Sequence, residues 1–504
     1  MKYIKQIAPI ACAVAALAPF LHAEDPEPQA RNVVFIMADD LGIGEVGAYG
    51  QKKIKTPNID RLAAEGIRFT QHYSGAPVCA PARCVLMTGH HSGRAEIRGN
   101  RQAARSFPEF DEGQHPISAD SLTMAKVFQE AGFATGAYGK WGLGPHGSTG
   151  DPHRQGFDHF FGYNCQAVAH SFYPPYLWND GEKIMINENP IPGHAQQPTG
   201  EVRMEDWIGE TYAPDLMIRE AVAFIERYQD QRFFLYLPFI EPHVSIHPPI
   251  EKVEAFPDWW DVRPYRGESA YVPHPRPRAG YAAMISDLDN HVGAVLEALE
   301  AAGILDETLI VFTSDNGPTH PGRGDSHFHI GGADPEYFNS NLDFRGWKGS
   351  VYEGGLRVPT IVRWHGQVDP GGVTSFPSYF PDWFPTLTRA TGVGTPEDLD
   401  GIDIMPALTG AEHATERNPM IWVYPEYGGQ IAVRLGDYKV LRREIRTPEG
   451  PDPWEVYHIP NDPQELVNLA DEKSDLIDEA IELLRRQWTE SELFPMDQDK
   501  ALAR

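Results

Sequence analysis

Between about residues 30 and 400, short runs of consecutive apolar residues alternate with helical patterns, and this alternation limits the fold more than any other feature. "NVVFIM" (32–37), "FATGAY" (133–138), "FFLYLPF" (233–239) and "TLIVF" (308–312) are apolar throughout or nearly so, as strands covered on both faces must be. Between them, "TPNIDRLAAEG" (56–66) carries Thr56 as N-cap, Pro57 at the first helical position and Gly66 as stop. "SLTMAKVFQEAG" (121–132) and "APDLMIREAVAFIERY" (213–228) are further helices. In the latter, Leu216, Ala221, Val222, Ile225 and Tyr228 fall largely on one face. Met284, Leu288, Val292, Val295 and Leu299 recur at helical spacing before Gly303. The pattern predicts an α/β fold: a large, mainly parallel sheet flanked by helices.

The last hundred residues change character. "MIWVY", "IAVRL", "YKVLR" and "WEVYHI" are short strands separated by turn residues, followed by a terminal helix, "SDLIDEAIELLRRQW". They predict a smaller antiparallel sheet with a packed helix. A chain of 504 residues is too long for one ordinary core. The expected division is a catalytic domain over 24–405 and a C-terminal α+β subdomain over 406–504. Residues 1–23 read as a secretory signal peptide: Lys2 and Lys5, an apolar run from Ile7 to Leu21, then Ala23 before acidic, proline-rich sequence. No later stretch approaches membrane length, so the mature protein is expected to be soluble, without a membrane span, in a periplasm or outside the cell. A formal charge of −28 argues against non-specific nucleic-acid binding and requires a local basic or metal-bearing site for any polyanionic substrate.

In open α/β sheets, ligands bind beyond the carboxyl ends of the strands. After "NVVFIM" come Ala38, Asp39 and Asp40; after "TLIVF", Thr313 and Ser314, then Asp315, Asn316 and Gly317. Lys140 follows "FATGAY", and Glu241-Pro242-His243 follows "FFLYLPF". Each Asp or Asn pair alone suits a turn or a cap. Together, at strand ends of one sheet, they supply oxygen ligands for a hard cation, Ca²⁺ or Mg²⁺. Export leaves three cysteines, Cys79, Cys84 and Cys165, an odd number where disulfides form. Cys79, in "VCAPARCVLMTG" (78–89), admits four readings: a core thiol, half of a disulfide, a thiolate nucleophile, or the precursor of another group. A thiolate at a helix N-terminus near a cation would be deprotonated, although a soft thiolate suits a hard cation poorly.

The stretch "CAPARCVLMTG" resembles the signature of the type I sulfatases of the alkaline phosphatase-like superfamily, in which the cysteine of a C-x-P-x-R core is oxidised to formylglycine (3-oxoalanine). "ADDLG", "GKWGLG" (139–144), "EPH" (241–243), "TSDNG" (313–317), "WKGSVYEGGLRVP" (347–359), "LGDYKVLR" and "YHIPNDPQELVNLA" extend the likeness, in order, over nearly the whole mature chain. The resemblance implies a sulfuric ester hydrolase. Asp39, Asp40, Asp315, Asn316 and the converted Cys79 would hold Ca²⁺, with Mg²⁺ as the lesser alternative. One hydroxyl of the formylglycine hydrate would attack sulfur, and the second would drive expulsion of sulfate. Arg83 would orient the hydrate, Lys140 and Lys348 would contact the sulfate or the leaving oxygen, and His243 would act as acid or sulfate donor. The implied partners are a formylglycine-generating maturation enzyme and a sulfate-ester substrate, expected to be a sulfated saccharide.

The likeness departs at one position. The family usually reads G-K-W-H-L-G, with the histidine assigned to sulfate elimination; here that position is Gly142. His146 and His170 are the candidate replacements, each equally readable as a surface residue. Arg98 and Asn100, in the basic stretch "GRAEIRGNRQAAR", are candidate substrate contacts, although solvated loops are the commoner place for such residues. Phe172, Tyr173, Tyr176 and Trp178 are read as loop packing ahead of a sugar platform. Cys84 and Cys165 are a possible pair if Cys79 is converted. The alternative functions are a phosphoester or phosphonate hydrolase of the same superfamily, and a non-catalytic binder of sulfated glycans.

Overall fold

A computed structural model describes residues 29–101, 112–322, 329–410 and 417–504; the segment read as a signal peptide lies outside them. A ten-stranded sheet runs through the larger part of the molecule. Its central strands are Thr308–Ser314, Asn32–Ala38, Phe233–Pro238 and Ala134–Lys140, consecutive in the sheet and mutually parallel. Register is continuous: Asn32 faces Thr308 and Ala38 faces Ser314 on one side, and Val33 faces Phe234 on the other. Every residue of these four strands is buried, which is why their sequences carry apolar runs without alternation. His159–Tyr163 continues the parallel set, and Tyr176–Asn179 and Glu182–Met185 close that edge antiparallel. Beyond Thr308–Ser314, Thr360–Arg363 is antiparallel and leads to Ile67–Phe69 and Gly372–Thr374.

Helices cover both faces. Pro57–Glu65 begins at Thr56 and ends at Gly66, as its sequence predicts, although the Thr56 hydroxyl accepts from Gly47 and donates to Asp60 instead of capping its own helix. Ala213–Tyr228 and Pro277–Ala301 pack on the face holding Val34, Ile36, Leu235 and Ile310. The second helix has Pro277 at its first position, where a missing backbone N–H costs no helical hydrogen bond. On the opposite face, Cys79–Thr88 is a ten-residue helix buried along its whole length. Gly89, at φ 68°, closes it in the left-handed conformation a side chain would disfavour.

The C-terminal part forms a four-stranded antiparallel sheet, Met420–Tyr424, Gln430–Leu435, Tyr438–Arg442 and Glu455–His458, on which helix Ser474–Gln487 packs through Ile477, Ile481 and Leu484. A buried ion network joins it to the larger part. Lys439 Nζ lies 3.0 Å from both Glu353 and Glu465, and Arg434 donates to the Tyr73 hydroxyl. No helix of the described residues is long and apolar enough to cross a membrane.

Candidate active site

Four adjacent parallel strands end on one rim, so the residues that follow them meet there. Asp39 and Asp40 leave Asn32–Ala38, with Asp40 at φ 65°; Asp315 and Asn316 leave Thr308–Ser314. Lys140 is the last residue of its strand, and His243 follows Phe233–Pro238. Two elements come in from outside the sheet: the helix beginning at Cys79, and the loop carrying Lys348.

These groups form a buried, charge-matched cluster. Cys79 Sγ lies 3.4 Å from Asp39 Oδ1 and 3.5 Å from Lys348 Nζ. Lys140 Nζ is 2.6 Å from Asp39 Oδ2, and Lys348 Nζ is 2.7 and 2.8 Å from the two oxygens of Asp40. Arg83, fully buried, reaches Asp315 at 2.7 Å and Asp39 at 3.3 Å and donates to the Lys140 carbonyl. Three carboxylates thus face three cations. Asn316 Nδ2 donates to Asp40 at 2.8 Å, and the Thr319 hydroxyl donates to it at 2.9 Å. His243 Nε2 stands 3.7 Å from Asp40 and its Nδ1 faces the Val244 carbonyl.

Burial acts against the ionisation of Asp39, but Lys140, His243, Arg83 and Lys348 outweigh it and hold the carboxyl well below the usual range. Asp315 is pushed the other way, to about 6, by burial and by the neighbouring charge of Asp39. Burial and Asp39 push the Cys79 thiol up to about 12, against the pull of Lys140 and Lys348. Of the four readings open for Cys79, this speaks against the thiolate nucleophile. The helix N-terminus and the lysines are both present, but desolvation in a site already lined by carboxylates prevails.

The donor set fits a hard divalent cation. Asp39, Asp40, Cys79 and His243 present ligand atoms within 4.8 Å of one another, and Asn316 has a buried Oδ1 without a hydrogen-bond partner among the described residues. A cation taking Asp40 as a ligand competes with Lys348 for that carboxylate.

The softer candidates separate. His170 stacks on His243, with ring centroids 4.9 Å apart and planes 10° from parallel, and its Nδ1 is 3.0 Å from His194 Nε2. His146 is instead exposed, 2.9 Å from Asp151, with its ring tilted against that of Trp178. Its ring contact is with an outer strand of the sheet and its ion pair with the cap of the Pro152–Gln155 turn. Arg98 is buried and spends its guanidinium on Ala95 and Thr489, bracing the C-terminal segment. Asn100 Oδ1 accepts from Ala80 N at 2.9 Å, in the first turn of the helix that carries Cys79. The Arg98 guanidinium is thus engaged inside the protein, which speaks against its reading as a substrate contact, while Asn100 is half-buried next to the Cys79 helix. Phe172 and Tyr173 are buried in the core, and Trp178 donates to Glu112. Cys84 and Cys165 are both free, which corrects the suggested pairing.

Three residues at this rim escape the sequence reading. Thr319 lies four residues beyond Asp315, close enough for the motif to have included it. Tyr271 sits edge-on to both His170 and His243. Tyr427 belongs to the turn between the first two strands of the C-terminal sheet, and its ring lies against Gly349, next to Lys348. Neither tyrosine carries a local sequence signal, because each is brought in by a loop.

Fold and site together bring buried cations and carboxylates onto one residue at a helix N-terminus, at the carboxyl ends of a parallel sheet. Comparison with known proteins gives the family. The Sulfatase family model matches residues 31–393, and that of the N-sulphoglucosamine sulphohydrolase C-terminal region matches residues 345–491. The chain is 31% identical to mouse (Mus musculus) steryl-sulfatase over 81% of its own length and 70% of that protein's. It is 30% identical to the N-acetylgalactosamine-6-sulfatase of Canis lupus familiaris, over 82% and 72% respectively. The crystal structure of Ps i-CgsB, also solved in complex with k-i-k-neocarrahexaose, superposes with a TM-score of 0.73 at 27% identity, covering 91% of this chain and 93% of that one. The chain belongs to the sulfatase family and is a sulfuric ester hydrolase.

Proposed function

We propose that the protein is an exported sulfatase acting on a sulfate ester of a carbohydrate, with Cys79 converted to formylglycine by a maturation enzyme and Ca²⁺ held by Asp39, Asp40, Asp315 and Asn316. The observation that carries this reading is the state of Cys79. A buried thiol with its pKa near 12, between Asp39 and Lys348, is a poor nucleophile as it stands, yet it occupies the centre of the charged cluster. Formylglycine supplies a hydrated aldehyde as nucleophile, and the cation supplies charge for the sulfate oxygens. The remaining work falls to the chain. Lys140, buried, and Lys348, partly buried, bring fixed positive charge to a largely desolvated site, where it stabilises negative charge more effectively than in water. Arg83 fixes Asp39 and Asp315 and ties them to the end of the Lys140 strand. The His243–His170 stack holds neutral imidazoles beside the cluster, suited to passing a proton to or from the ester oxygen.

A sugar substrate is supported by the galactosamine-sulfatase relative and by the saccharide in the Ps i-CgsB complex. Export is supported by the lysine-apolar-Ala23 leader. The test is turnover of paired sulfate and phosphate monoesters with the same leaving group, by protein made with and without a maturation enzyme. Sulfate release that depends on maturation, with phosphate release far below it, supports the proposal. Phosphate release of equal efficiency, or no dependence on maturation, contradicts it.

A further inference from the structure

Gly142 has φ 78°, and a Cβ built on it would lie 1.7 Å from Gln166 Nε2. The glycine is therefore the counterpart of a specific side chain: Gln166 fills the space that any larger residue at 142 would enter. Gln166 is 3% exposed, and neither its Nε2 nor its Oε1 has a hydrogen-bond partner among the described residues. A buried amide with both ends unpaired is costly unless something outside the chain pairs with it. Its surroundings say where that partner comes from. Trp141 N donates to the Tyr163 carbonyl and Gly142 N to that of Asn164, which fixes Gln166 beside the strand end from which Lys140 reaches Asp39. Four residues further on, His170 stacks on His243. Asn164, on the same segment, also has a buried Oδ1 without a partner.

We propose that Gln166 is a substrate-contacting residue of the sulfate pocket, its Nε2 donating to an oxygen of the sulfate ester; this rests on the sulfatase reading above. A glutamine amide donates and accepts hydrogen bonds but does not take up a proton at working pH. Gln166 thus binds and orients the ester, and acid–base duty stays with the histidines.

The test is binding, measured by calorimetry on protein carrying Cys79→Ala, so that no turnover intervenes and conversion is irrelevant, with 4-nitrophenyl sulfate and inorganic sulfate as probes. Gln166→Met keeps the bulk of the side chain and removes both polar ends. It is expected to weaken both probes about tenfold or more, as for loss of a hydrogen bond to a charged group, at unchanged melting temperature. The double variant Gly142→His/Gln166→Gly places a donor in the same space from the other side, and is expected to recover most of the loss. Equal affinity in Gln166→Met and its parent overturns the assignment and leaves the amide to an ordered water. Failure of the Cys79→Ala parent to bind either probe at any concentration contradicts the proposal that this cluster is the sulfate pocket, on which the assignment rests. A loss in Gln166→Met that the double variant does not recover, with both proteins folded, overturns the claim that the two positions share one space.

Discussion

The imidazole of His170 lies parallel to that of His243 at 4.9 Å, and its far nitrogen faces His194 at 3.0 Å. Burial, then the neighbouring His243 and Lys140, hold His170 well below the ordinary histidine pKa of about 6.5. It is therefore neutral through pH 6.5 and below. If His170 is the base, the acid limb of kcat/KM falls well below pH 6.5, lower than an unshifted histidine would place it. His170→Phe keeps the stack and is expected to lower kcat about 10²-fold or more with little change in KM. A limb at or above pH 6.5, or a His170→Phe variant of full activity, speaks against this role.

Arg83 and Asp315 are both fully buried, and each is the other's nearest opposite charge at 2.7 Å. Removing one partner strands the other in the interior. Arg83→Met is expected to cost about 3–5 kcal/mol of stability, read as a lower melting temperature in calorimetry. An unchanged melting temperature contradicts the buried-pair account.

A cation bound by the aspartate cluster stabilises the folded state by mass action, by about 2.7 kcal/mol at a hundredfold excess over Kd. Treatment with a chelator is expected to lower the melting temperature. Ca²⁺ should restore it better than Mg²⁺, since a set of several carboxylates and an amide suits the larger ion. Insensitivity to both chelator and ions contradicts a cation at Asp39, Asp40, Asp315 and Asn316.

Acid lability has a separate origin. Burial lowers His72, His247 and His274 to about 3. The unfolded chain takes up these protons near pH 6.5, so the stability they carry is complete above 6.5 and is lost as pH falls towards 3. Each contributes a slope of about 1.4 kcal/mol per pH unit. Glu45 and Glu465, raised by burial to about 7, act oppositely between their ordinary value and 7, so single substitutions isolate the terms. Neither ring nitrogen of His247 has a hydrogen-bond partner among the described residues, and His247→Leu should flatten the acid slope by about one proton. An identical slope in the variant would falsify the assignment.

Much of this was legible in the chain. The central strands are apolar because both faces are covered, and the acidic and amide residues after them stand out because nothing in the core needs them. What escaped was set by distance in space. Arg98 looks like a free cation in a basic loop, but its partner Thr489 is 391 residues away. Tyr427 reaches the site only through the docking of the C-terminal sheet. Gly142 reads as a missing histidine until the fold brings Gln166 against it. For Cys79 the helix position is visible in sequence, whereas the depth of burial that holds the thiol protonated is not.

The central claim is that Cys79 is the precursor of the nucleophile, and the mass of the tryptic peptide Phe69–Arg83 tests it most directly. In protein made with an active maturation enzyme, the account predicts an aldehyde or its hydrate in place of the thiol at Cys79, together with sulfate-ester turnover. An unmodified cysteine from a host that converts another sulfatase, in protein that still hydrolyses sulfate esters, would contradict it.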